Sequence, residues 1–210
     1  MRDPPGGGAR THPPARDAAL KSVLALADQC GYDREHTHQV TRVALKLFDD
    51  LKSLHRMGPQ ERFSLQCGAL LHDIGWCEGQ KGHHKTAMRI ILAADGLRLN
   101  DRRRAMVAQI ARYHRKAPPK AGHAAYQALS AADRRRVDVL AGILRVADGL
   151  DRSHESLVGE VVCKVTAKAV TLCCRTTAEA TLERLAATKK ADLFEAALGR
   201  KLVLRFAPKC

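Results

Sequence analysis

Phe63-Ser64-Leu65-Gln66-Cys67-Gly68-Ala69-Leu70-Leu71-His72-Asp73-Ile74-Gly75 is the stretch on which the fold turns. Pro59 suits the first residue of a helix, and the segment that follows is almost wholly apolar from Phe63 until it meets two ionisable side chains. His72 stands seven residues after Leu65, so at about 100° per residue it points the way the apolar side chains point. A segment this apolar is buried, and it carries His72 and Asp73 inward with it. An unpaired carboxylate in such a place costs roughly several kcal/mol, so Asp73 needs a partner.

Three more ionisable residues fall where apolar ones belong. His36 precedes Val40 by four and Val43 by seven, on the stripe of a helix predicted over 34–55. His114 follows Ile110 by four and Val107 by seven, at the end of a helix capped by Asn100. Asp148 follows Leu144 by four and Ala141 by seven, in the most apolar helix of the chain, which opens with the capping pattern Ser130-x-x-Asp133. Each of these alone reads equally as a satisfied core residue. For His36, His72, Asp73 and Asp148 together, the economical partner is one shared divalent cation. Mixed imidazole and carboxylate ligands do not distinguish Mn, Mg, Fe, Co, Ni and Zn.

Outward from this centre, three zones are predicted: a flexible arm (1–16), a helical body of about seven helices (17–156) and a small α/β module (157–210). The fold class is therefore mainly α. In the body, Gly31 suits the C′ position after a first helix near 17–30, and Asp95-Gly96 closes a helix near 84–94. The tail changes period: 158–166 and 169–175 read as a hairpin and 201–206 as a third strand. Between them 177–198 reads as helical, with Leu182, Leu185, Leu193 and Phe194 as apolar anchors.

The chain has 210 residues, 45% of them apolar and only 4% aromatic, which excludes general disorder and leaves the core to aliphatic side chains. No run of eighteen apolar residues occurs, so no membrane span is expected. The first residues contain no apolar signal core, and seven cysteines without a C-x-x-C pair read as reduced thiols of a cytoplasmic protein. The net charge of +14 favours anionic partners. Between Arg98 and Arg136, eleven Lys and Arg face two Asp, a net of +9. That face is either solvated or an attractor of anions lining the approach to the site. Nucleic acid is compatible with the charge but not favoured, because no aromatic residues interleave the basic ones.

The order His36…His72-Asp73…Asp148, with Ala147 before the last Asp, resembles the signature of the HD phosphohydrolase superfamily. Leu45–Asp49, Gly82-His83-His84-Lys85, Ala111–Lys116, Leu144–His154 and Lys190–Glu195 are similar to the C-terminal half of the exopolyphosphatase and guanosine pentaphosphate phosphohydrolase (Ppx/GppA) family. The family's actin-like N-terminal half has no counterpart in these residues, and His84-Lys85-Thr86-Ala87 stands where the family often reads H-K-H-S.

The resemblance implies that His36, His72, Asp73 and Asp148 bind a metal ion. It implies that His84 and His114 ligate a second ion or hydrogen-bond a phosphate, which makes Asp73, His84 and His114 the catalytic set. Lys85, Arg115, Lys116, Arg145 and Arg152 flank these residues and are the expected phosphate clamps, each equally readable as solvated or salt-bridged. His38, His83, His123 and His154 read as surface or supporting residues. The expected partner is a phosphorylated small molecule or polyphosphate, and a homodimer is compatible with the sequence. The expected activity is metal-dependent hydrolysis of a phosphate ester or anhydride. Its alternative is a non-catalytic polyanion-binding or regulatory module that keeps a structural metal.

Overall fold

A computed structural model describes residues 13–208. Eight α-helices and a short 3-10 turn make the body: α1 (Pro13–Gln29), α2 (Arg34–Asp50), α3 (Lys52–His55), α4 (Pro59–Leu70), the 3-10 turn (Ile74–Glu78), α5 (His83–Ala93), α6 (Asp101–Arg112), α7 (Ala124–Gln127) and α8 (Ala131–Gly149). The tail runs β1 (Val158–Val165), β2 (Ala169–Thr176), α9 (Thr181–Lys189), α10 (Asp192–Leu198) and β3 (Lys201–Pro208). The class is mainly α with a small α/β module, as the periodicity predicts. Part of the predicted arm, residues 13–16, belongs to α1; residues 1–12 lie outside the described residues. No helix among the described residues is long and apolar enough to cross a membrane.

Local chemistry sets the helix limits. Asp33, Asn100 and Ser130 cap α2, α6 and α8, accepting from the backbone N–H of His36, Arg103 and Asp133. The Asp133 carboxylate does not close a capping box; it accepts from Arg102 and Arg136. Gly31, at φ +62°, turns the chain after α1.

The sheet has the order β1-β2-β3, with β1 antiparallel and β3 parallel to β2. A parallel neighbour needs a crossover connection, and α9 and α10 supply it. One apolar cluster joins Val40, Leu47, Ile110, Leu140 and Leu144 of the helices to Val158, Val170 and Leu172 of the sheet and Phe194 of α10. A second packs α1 and α5 on the opposite side of α4 and α6.

The crossover helices lie close on α8. A Cβ on Gly149 would stand 2.6 Å from the Cα of Ala187 in α9, and one on Gly142 would stand 2.9 Å from the Cα of Phe194 in α10. This approach decides which face of α9 turns inward. Glu183 and Ala187 are buried, whereas Leu182 and Leu185, expected as anchors, are 59% and 61% exposed, because leucine has no room against the α8 backbone. Leu193 and Phe194 are buried as expected. Gly149→Ala is accordingly expected to destabilise the protein by about 1–3 kcal/mol, read as a lower urea midpoint.

A candidate metal centre at the helix ends

Five segments bring six ionisable side chains to one place. His36 comes from the first turn of α2, and His72 and Asp73 from the turn after α4. His83 opens α5, His114 follows α6, and Asp148 sits in the last turn of α8. The Nε2 of His36 lies 3.9 Å from Asp73 Oδ2 and 3.7 Å from Asp148 Oδ1, and His72 Nε2 lies 3.5 Å from Asp73 Oδ2. The four residues expected to converge do so. On the other side of Asp73, Oδ1 lies 3.1 Å from His83 Nε2 and 3.3 Å from His114 Nε2.

The ring orientations show what this place is built for. His72 and His114 each donate Nδ1–H to the carbonyl three residues earlier, Ala69 and Ala111, at 2.7 Å. His83 Nδ1 is 3.1 Å from the carbonyl of Gln80, again three back. His36 Nδ1 donates to Asp151 Oδ2 at 2.8 Å, and the other oxygen of Asp151 accepts from the Ser156 N–H. With Nδ1 carrying the proton, each Nε2 presents a lone pair toward a carboxylate that also offers lone pairs; that of His83 also accepts from Arg115 Nη1 at 3.1 Å, whereas those of His36 and His72 meet no donor. His36 Nε2, His72 Nε2 and Asp73 Oδ1 are buried without a hydrogen-bond partner. Buried acceptors left facing one another are costly unless a cation lies between them. His36, His72 and Asp73 form one group of fitting atoms, and Asp73, His83 and His114 form a second. Asp73 is shared.

The electrostatics act in opposite directions on the histidines of the site. Burial pushes the His114 imidazole down to about 3, so at neutral pH its Nε2 lone pair is free. Burial also opposes charge on His36, but its hydrogen bond to Asp151 and the carboxylates of Asp148 and Asp73 outweigh it and raise its pKa. Asp148 stays ionised despite burial, chiefly because Lys190 Nζ pairs with its outer oxygen. Asp148 therefore has a protein partner besides the expected cation.

The depressed histidines predict an acid-labile fold. A base whose folded pKa lies below its unfolded value loses stability as the pH falls from about 6.5 toward the folded value. His114 and His84, the latter pushed to about 4 by burial and then by Arg112, act in this sense, and His36 acts against it. The urea midpoint of chelator-treated protein should fall between pH 7.5 and 5, and less steeply in His114→Gln.

Two of the expected assignments change. His83, read as a surface or supporting residue, is 1% exposed and faces Asp73, whereas His84 lies outside both groups. The spacing carries the signal: His83, Ala87 and Ile91 form the inward stripe of α5. Gly75 makes the close approach feasible, since a Cβ there would fall 2.0 Å from the His83 carbonyl oxygen. Lys85 is exposed on α5 and does not line the cavity beside the cluster.

That cavity, about 380 Å³, is lined by Asp73, His83, His114 and Asp148 on one side and by Arg115, Lys116, Arg152, Lys189 and Lys190 on the other. Arg145 also lines it, but its donors are engaged. It binds the carbonyls of Tyr113, Lys116 and Lys190 and the carboxylate of Asp192, so it holds the wall rather than offering a free clamp.

The two arginine triads of the basic stretch, Arg102-Arg103-Arg104 and Arg134-Arg135-Arg136, are not at the site. Arg102 forks onto Asp133, Arg103 contacts Gln60 and the Phe63 ring, and Arg104 donates to the Leu97 carbonyl. Arg136 pairs with Glu61 and Asp133, and Arg134 binds the carbonyls of Gln127 and Leu129. They fasten helices together, so from the basic stretch only Arg115 and Lys116 reach the cavity.

Sequence reading missed Asp151, Lys189, Lys190 and Trp76. Asp151, three residues beyond Asp148 and fully buried, had a helical spacing as its signal. The lysines had none, because only the crossover brings them to α8. Among the supporting histidines, His154 stacks on His36 with centroids 3.7 Å apart and donates to Asp33, the cap of α2. His38 and His123 meet the hydroxyls of Tyr32 and Tyr113. A family model described as Ppx/GppA phosphatase, domain III, matches residues 19–197, a span that contains every member of the cluster.

Proposed function

The chain belongs to the Ppx/GppA phosphatase family through its match to domain III, and from that premise we propose that it is a metal-dependent phosphohydrolase acting on a phosphate ester or anhydride. The substrate class is a nucleotide, alarmone or polyphosphate, and the helical frame is an HD-type domain. The observation that carries the reading is the set of buried, unpartnered acceptor atoms around Asp73, with His36, His72 and His114 each fixed in the tautomer that leaves the Nε2 lone pair available.

In this reading His36, His72, Asp73 and Asp148 hold one divalent ion, and Asp73, His83 and His114 hold a second. Such ions supply water ionised near neutral pH. The chain's own residues do the rest. Arg115, Lys116, Arg152 and Lys189 meet the phosphate oxygens and offset their charge. Lys190, from the α/β module, holds Asp148 and stands where a phosphate enters. Asp151 keeps His36 in its working tautomer, and the carbonyls of Ala69 and Ala111 do the same for His72 and His114. The proposed compartment is the cytoplasm, where the six described cysteines, all unpaired, persist as thiols.

Chelation followed by addition of single divalent metals tests the proposal. Elemental analysis is expected to find up to two ions per chain, with phosphate release from tripolyphosphate or a nucleoside polyphosphate returning with the metal. Tight binding of these anions with no turnover under any metal would instead identify a polyanion-binding module.

A further inference from the structure

The chain contains a single tryptophan, and it lines the cavity. Trp76 lies in the 3-10 turn directly after the His72-Asp73 pair, and its backbone N–H donates to the Asp73 carbonyl at 3.0 Å. Its ring packs on the His83 imidazole with centroids 4.9 Å apart and planes at 23°, and 44% of the residue remains exposed. One face of the indole is thus backed by an imidazole whose Nε2 is 3.1 Å from Asp73, while the ring itself is open to the cavity that the lysines and arginines line.

An exposed indole contributes nothing to gripping a bare polyphosphate, which offers no flat apolar face. A nucleobase does. We propose that Trp76 is a stacking platform for the base of a nucleotide whose phosphates lie on Arg115, Lys116, Arg152 and Lys189, so that this site selects nucleoside polyphosphates over inorganic chains. The proposal rests on the phosphohydrolase reading for the position of the phosphates, and it adds the residue that sets specificity. The cavity is of the size that holds a small-molecule ligand. Base stacking on an aromatic side chain corresponds to roughly a 5- to 150-fold gain in affinity.

The sole tryptophan makes the test direct. Calorimetry in Mg²⁺ buffer compares a methylene-bridged purine nucleoside triphosphate with inorganic tripolyphosphate, while Trp emission is followed in parallel. The nucleotide should bind at least about fivefold tighter and quench the emission, as tripolyphosphate does not. Trp76→Ala should lose that preference and still bind tripolyphosphate with wild-type affinity, and Trp76→Phe should keep part of it. Equal affinities with unchanged emission overturn the platform while leaving the phosphohydrolase reading in place, and binding of neither anion overturns it too. Preferential, quenching binding of the nucleotide without turnover of any substrate upholds the platform and removes the phosphohydrolase.

Discussion

Replacing Asp73 by asparagine is expected to abolish both metal loading and phosphate release in a protein that remains folded. Among the described residues only Asp73 belongs to both groups: one oxygen lies toward His36 and His72, the other toward His83 and His114. Asparagine has the same shape but no charge, and its amide NH₂ gives the Nε2 atoms on one side of it the donor they lack, so the apo fold keeps its packing as it loses the ion site. Turnover should fall by on the order of 10³-fold or more, because the ionised water disappears with the ligand set. Asp148→Asn touches only one group and should cost less metal. Elemental analysis, circular dichroism and phosphate release together decide the matter, and undiminished metal in Asp73→Asn would sink the two-ion arrangement.

Arg145→Met should lower the stability of the protein. The guanidinium is nearly fully buried, and its four hydrogen bonds tie α8 to the loop that carries His114 and to the start of α10. Its removal leaves three carbonyls and the Asp192 carboxylate short of a donor. Asp192 is half-exposed and recovers water, but leaving the carbonyls without a donor costs about 1–3 kcal/mol, which for a chain of this size lowers the melting temperature by about 5 °C. An unchanged melting temperature would mean that solvent replaces these bonds and that Arg145 is free to serve as a clamp.

The sequence made the frame legible wherever a side chain's direction follows from helical spacing. His36, His72, Asp73, His114 and Asp148 lie on, or directly after, strongly apolar stripes, so their convergence could be read without coordinates. Asp151 and His83 carried the same kind of signal in weaker form, each with few apolar neighbours at the right spacing. Leu182 and Leu185 misled because apolar character on a short helix does not say which face its neighbour can admit; the glycines of α8 decide that. The arginine triads misled for a related reason, since a run of charge does not reveal that Asp133, Glu61 and the Leu97 carbonyl are waiting for it. Lys190 and Trp76 depend on tertiary placement alone, one through the crossover and the other through a turn.

Lys189 and Lys190 close the cavity from within the connection between two parallel strands, β2 and β3. The order in which the chain leaves the ribosome therefore separates the two halves of the site in time. By the end of α8 every residue around Asp73 has been made, and the helices can collapse on their local contacts. The opposite wall is secured only after Lys201–Pro208 emerges and zips beside Ala169–Thr176, a pairing across more than twenty intervening residues that forms late. A nascent chain can thus gather its acceptor atoms before it can hold an anion against them, and a lesion in the last strand would silence a centre that it never touches.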